Sequence, residues 1–274
     1  MKPKARLSVF LRLIMEEIKY EIDNTYIHYI KFGSGEKVIA TISGISLRGI
    51  EGFGSAVEKQ YEGIKDEYTV YIFDRRKYLN DNASIYDLME DTYHILREDG
   101  VKKAVLFGVS QGGMIACAMA IKHPEFVEKL IIASSSAYST DMANAVWNKC
   151  KEYIKNKDVY NLNMLFYKKV YTEKYFKEYE DAFNTLAKLG TEEEMKRFTI
   201  LLDMMMAFDC TEELDKIKCP TFVIGAREDE IFGVEASREL SRKLNCDLYV
   251  YEDYGHAVYD EAPDYMDRVH KFLD

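Results

Sequence analysis

The chain has 274 residues, 47 % hydrophobic and 13 % aromatic, with a formal net charge of −10. That apolar content is ample for a sizeable core, as one large domain or a core with an insertion. The acidic balance argues against a nucleic-acid surface, and no basic run, internal repeat or low-complexity segment is present. Cys117, Cys150, Cys210, Cys219 and Cys246 are odd in number and lack metal-ligand spacing, which suits a reducing cytoplasm better than a disulfide framework.

Lys2, Lys4 and Arg6 precede an apolar run with a superficial likeness to a signal peptide. Arg12 interrupts the run, Glu16 and Glu17 follow, and there is no small-x-small cleavage site. Leu7, Phe10, Leu11, Ile14 and Ile18 fall at helical spacing, so residues 1–18 read as an amphipathic segment. Docking on the body, pairing with another subunit in a homo-oligomer, and contact with a membrane surface all stay open for it. No integral membrane segment is expected.

From about residue 19, short β-rich runs alternate with helical patterns. Tyr26-Ile27-His28-Tyr29-Ile30 alternates and ends at Gly33-Ser34-Gly35, which reads as a hairpin turn into Val38-Ile39-Ala40-Thr41-Ile42. A strand at 68–73, a helix near 84–98, a strand at 103–109 and a helix to about 123 follow. After them come strands at 129–133 and 221–224, a helix near 234–244, a strand at 247–251 and a closing helix from about Asp260. This rhythm predicts an α/β fold with a mostly parallel central sheet covered by helices on both faces. Residues 138–210 break it. They lack a buried strand signal and are dense in Lys, Glu, Tyr and Met, which reads as a helical cap inserted into a core of residues 19–137 plus 211–274. Within it Phe198, Leu201, Leu202, Met205 and Phe208 form one apolar stripe, while Met204, Met205 and Met206 spread over more than half the helix circumference.

The stretch Gly108-Val109-Ser110-Gln111-Gly112 lies where the apolar strand Ala104-Val105-Leu106-Phe107 turns into the helical run after Gly113. A serine between small residues suits a tight strand-to-helix turn, with the helix N-terminus aimed at any oxyanion formed there. A serine hydroxyl needs a general base and a partner that orients that base. Of the five histidines, His28 sits in an alternating strand, His94 and His270 in helices, and His123 at a helix end limited by Pro124. Only His256 lies in a loop directly after a predicted strand. Parallel α/β sheets gather such loops at the carboxyl edge, where the turn serine also sits. The acid is expected from Gly225-Ala226-Arg227-Glu228-Asp229-Glu230-Ile231-Phe232-Gly233, which offers three acids in a row after the strand at 221–224.

The chain resembles the α/β-hydrolase superfamily, serine hydrolases with a helical cap, from about residue 20 to 274. Three blocks carry the resemblance: residues 108–113 as nucleophile elbow, 225–233 as acid loop and 255–263 as histidine loop, in the order Ser…acid…His. Family acid loops place an Asp before any residue, two apolar residues and a small one. That frame implies Asp229, with Glu228 the runner-up. Family members often carry His-Gly after the third strand; here Ser43-Gly44 stands in its place, which puts the geometry of the oxyanion loop in question. The resemblance implies Ile45 and Gln111 as the backbone donors of an oxyanion hole.

The expected activity is hydrolysis of a small ester or thioester, with catalytic Ser110, His256 and Asp229, an acyl-enzyme intermediate, and no metal or organic cofactor. The same residues serve C–C bond hydrolysis, perhydrolysis, amide cleavage and acyl transfer, and the fold also occurs as a ligand receptor without turnover. The expected location is cytoplasmic.

Overall fold

The computed structural model describes residues 15–274. Glu16–Ile22 (β1) and Thr25–Phe32 (β2) pair antiparallel, turning at Asp23 with φ 51°. The amphipathic reading of residues 1–18 therefore fails at its end. Ile18 lies in a strand, because residues 17–22 alternate polar and apolar and residues 16–22 find an antiparallel partner in β2. Residues 1–14 lie outside the described residues.

The expected hairpin at Gly33-Ser34-Gly35 does not form either. Gly33, with φ 89°, and Gly35 press against the backbone of residues 65–68. A Cβ on Gly35 would lie 1.7 Å from the Glu67 carbonyl carbon, and Ser34 N–H donates to Lys65 O at 2.9 Å. The chain is thereby carried past Tyr68–Arg76 (β4) before Lys37–Ile42 (β3) begins. Consequently β2 pairs antiparallel with β4, and β3 lies parallel between β4 and Ala104–Val109 (β5).

Val127–Ala133 (β6), Thr221–Ala226 (β7) and Asp247–Tyr251 (β8) extend the sheet in parallel. Among the described residues the sheet has eight strands in the order β1-β2-β4-β3-β5-β6-β7-β8. Strand order reverses between β3 and β5: the connection leaving β3 runs to one side and that leaving β5 to the other. Such a switch point opens a crevice at the carboxyl ends of the strands.

All six residues of β5 are buried, as a strand covered on both faces requires. Leu106 joins a core shared with Ile85–Glu98 (α2), Gln111–Lys122 (α3) and Val234–Leu244 (α9). Val105, Phe107 and Val109 join the opposite core, with Tyr265, Val269 and Leu273 of the closing helix. Ser84 and Asp87 form a reciprocal capping box that starts α2.

Between β6 and β7 the chain forms five α-helices, Asp141–Lys155, Val159–Val170, Glu173–Glu178, Glu180–Leu186 and Glu192–Ala207, and then a short 3-10 turn at Thr211–Lys216. The ends of this excursion meet in an isolated bridge between Tyr138 and Asp209. Its last helix begins at a capping box of Thr191 and Glu194 and buries Phe198, Leu201, Leu202, Met204 and Met205; Met206 is half-buried. Buried Arg197 ties the same helix to the end of β4, donating to Arg76 O at 2.9 Å, Arg75 O at 3.2 Å and Asp74 Oδ1 at 3.1 Å. No helix among the described residues is long and apolar enough to cross a membrane.

Candidate active site

Ser110 follows β5 at the switch point with φ 54° and ψ −122°, a conformation that L-residues rarely adopt. Its neighbours explain how the turn is held. A Cβ on Gly108 would come within 2.4 Å of Gly112 O, and one on Gly112 within 1.9 Å of Ile42 O. Both contacts are with backbone, which cannot swing aside. Ser110 N–H donates to Ala133 O at 2.9 Å, and Ser110 O accepts from Gly113 N–H at 2.9 Å and Ser135 Oγ at 2.7 Å. Replacing Gly112 by Ala should force β3 and the turn apart. We expect a loss of about 2 kcal/mol or more in unfolding free energy by denaturant titration; an unchanged midpoint would contradict this account of the turn.

Asp229 and His256 meet in the interior, 6 % and 3 % exposed. His256 Nδ1 lies 2.9 Å from Asp229 Oδ2, while Asp229 Oδ1 accepts from Ile231 N–H at 2.7 Å and Phe232 N–H at 3.1 Å. Burial works to raise the Asp229 pKa, but the imidazole and the two backbone donors outweigh it and hold the carboxyl below its usual range. The carboxylate is thus an ionised acceptor, and Nδ1 carries a proton toward it. The neighbouring acids do not compete: Glu228 and Glu230 are both exposed, and Glu230 pairs with Lys169. Phe232 also flanks the histidine, with ring centroids 5.7 Å apart.

Among the described residues neither Ser110 Oγ nor His256 Nε2 makes a hydrogen bond, so both are free for a reacting group. Gly44 lies against the turn, where a Cβ on it would contact Ser110 Cβ at 3.4 Å. The Ile45 N–H has no protein acceptor among the described residues. The Gln111 N–H is the first of α3 and precedes any intrahelical acceptor. The structure thus pairs Asp229 with His256 and sets Ser110 beside the loop that carries Ile45. The remaining four histidines lie elsewhere, His28 beside Glu17, His94 beside Glu98, His123 beside Glu90 and His270 against Gly63.

Sequence reasoning missed two supports. Ala257 N–H donates to Val170 O at 2.7 Å, and Glu261 accepts from the backbone N–H and hydroxyl of Thr172 at 3.0 and 2.5 Å. The histidine loop is therefore held by residues 170–172 of the excursion. The second support is buried Arg75, whose Nε donates to Gln111 Oε1 at 2.9 Å. No residue spacing announces either, because both join segments far apart in the chain.

A cavity of about 400 Å³ opens beside Gly44 and Ile45, with Ile50, Phe53, Val57 and Met266 among its apolar walls. Gly54–Gln60 (α1) forms one side. Neither Ser110 nor His256 lines this cavity; it abuts the loop that carries Ile45 from the α1 side. Among the described residues no cluster of His, Cys, Asp and Glu is arranged to hold a metal ion.

A model of a family described as the alpha/beta hydrolase fold matches residues 49–263. Serine hydrolase BPHL of Homo sapiens is 24 % identical over 161 residues, 56 % of this chain and 54 % of that protein, so the match spans about half of that relative. The putative carbamate hydrolase RutD of Serratia proteamaculans (strain 568) is 22 % identical over 237 residues, 81 % of this chain and 86 % of that one. The crystal structure of the enol-lactonase from Burkholderia xenovorans LB400 superposes with a TM-score of 0.81 at 18 % identity, covering 93 % of this chain and 99 % of the other. At that identity the likeness concerns the fold.

Proposed function

Because the chain belongs to the α/β-hydrolase family and is a hydrolase, we propose that it cleaves a small ester or thioester through Ser110, His256 and Asp229. The observation that carries the reading is the buried Asp229–His256 pair at the same sheet edge as the strained Ser110 turn. Ser110 Oγ attacks the carbonyl carbon as His256 Nε2 takes its proton. Asp229 stabilises the imidazolium, and the N–H groups of Ile45 and Gln111 receive the oxyanion. Collapse of the tetrahedral intermediate expels the alcohol or thiol, which takes the proton from His256. Water then repeats the sequence on the acyl-enzyme and frees the acid.

The five α-helices between β6 and β7 act as a cap on this edge. The cavity beside Ile45 takes the acyl group, and its volume lies in the usual range for small-ligand sites. Labelling with a fluorophosphonate, followed by steady-state rates on esters of increasing acyl length, tests the nucleophile and the pocket together. Sustained product release is expected; a single burst with retained ligand would favour a receptor instead. Val57→Trp should fill the cavity and lower kcat/KM for a hexanoyl ester about tenfold or more, while an acetyl ester stays within about threefold. Equal losses on both esters would remove the cavity from the substrate path.

A further inference from the structure

We propose that Arg75 is the positioning residue of the oxyanion hole, one buried guanidinium that sets both backbone donors. This inference rests on the reading of Ser110 as nucleophile. At the end of β4 the consecutive arginines part company. Arg76 turns to Asp91 and Asp23, whereas Arg75 turns inward and is 4 % exposed. Its Nη1 donates to Ser43 Oγ at 2.8 Å and Gly44 O at 3.3 Å, its Nη2 to Ser43 O, and its Nε to Gln111 Oε1 at 2.9 Å. Every one of these acceptors is neutral. The nearby carboxylate, Asp74, instead receives the Arg75 backbone N–H and the Arg197 guanidinium. A buried cation held only by neutral groups is costly to keep, which calls for a reason beyond stability.

The acceptors supply that reason. Gly44 C=O and Ile45 N–H are the two ends of one peptide unit, and the chain contains no cis peptide among the described residues. In a trans peptide those ends point in opposite directions. A guanidinium fixed on Gly44 O therefore turns the Ile45 N–H the other way, and it polarises that donor through the amide. Arg75 also fixes the second donor. A guanidinium donates only, so Gln111 must present its oxygen to Arg75 and its amide nitrogen to Leu201 O, 3.0 Å away. Held at both ends, the Gln111 side chain pins the first residue of α3, whose N–H is the other oxyanion donor. Ser43 completes the arrangement: its hydroxyl accepts from Arg75 and donates to Phe73 O at 3.0 Å. The serine that replaces the family's histidine is thus the acceptor the guanidinium needs. Burial lowers the Arg75 pKa to about 10, against the pull of Asp74, so the side chain remains charged at neutral pH.

The test uses Arg75→Met, Arg75→Lys and Gln111→Met, each with its active sites counted by fluorophosphonate labelling. Turnover of an acetyl ester and affinity for a trifluoromethyl ketone, whose adduct carries the oxyanion, are then measured. For Arg75→Met we expect kcat per labelled site to fall about 10²-fold with KM within about threefold, and ketone affinity to fall in step. Arg75→Lys, which keeps the charge but cannot span both loops, should recover part of the rate. Gln111→Met keeps both backbone donors and should lose about tenfold; it and the lysine variant carry the test if Arg75→Met does not fold. A kcat per labelled site within threefold of the parent in the folded variants would overturn the inference alone. A parent protein that is not labelled at Ser110 would overturn the nucleophile reading and this inference with it.

Discussion

Ser110→Ala is expected to abolish fluorophosphonate labelling and to lower kcat by about 10³-fold or more, with the unfolding midpoint no lower than that of the parent. In the proposed mechanism the hydroxyl oxygen bonds to the acyl carbon, and no other group in the turn can replace it. Alanine fits the same space, and no hydrogen bond is lost, since Ser110 Oγ makes none among the described residues. The strained φ is imposed by Gly108, Gly112 and the Ser135 hydroxyl on the Ser110 carbonyl, all of which persist in the variant. Two neighbouring serines are occupied: Ser135 Oγ donates to Ser110 O, and Ser43 Oγ lies between Arg75 and Phe73 O. Labelling that survives in Ser110→Ala would move the nucleophile elsewhere and sink the proposed mechanism.

Asp229→Asn is expected to cost about 10³–10⁴ in kcat near neutral pH. Ionised Asp229 accepts on both oxygens, from His256 on one and from two backbone N–H groups on the other. An asparagine keeps the oxygen for the backbone donors and turns its NH₂ toward His256 Nδ1. The imidazole must then accept there and carry its proton on Nε2, where it cannot take the proton of Ser110. The charge that steadies the imidazolium also disappears. Glu228→Gln, in an exposed side chain one position away, should lose less than about tenfold on the same ester. If the Glu228 variant is the inactive one, the acid is misassigned, while Ser110 and His256 still stand.

The parts of the site legible in the sequence are those encoded within a few residues. The apolar strand, small-serine-small turn and helix around Ser110 specify their own geometry, because Gly108 and Gly112 are each demanded by a nearby backbone contact. Of the three acids in a row after β7, the family resemblance implied Asp229 through its frame with Ile231 and Phe232, the same residues whose N–H groups its side chain accepts from. What was not legible depends on pairing at a distance. Residues 17–22 alternate as a strand should, yet their role depends on β2 as a partner, and the helical spacing just before them hid it. The glycines at 33 and 35 carry a turn signature, but their contacts with residues 65–68 send the chain to a different neighbour. Arg75 is one of two adjacent arginines, and nothing local distinguishes the one that turns inward.

The grip of residues 170–172 on the histidine loop bears on how this scaffold can be re-engineered. A helical excursion between two strands invites exchange as a cassette, with a foreign segment grafted to alter selectivity. Here the cassette contains part of the frame that seats His256, the proposed general base: Val170 O receives Ala257 N–H, and Thr172 is held by Glu261. A chimera that replaces residues 138–210 wholesale would lose these bonds and loosen His256, whatever the graft did to selectivity. A graft that retains 170–172 and exchanges only the flanking helices would separate the two roles.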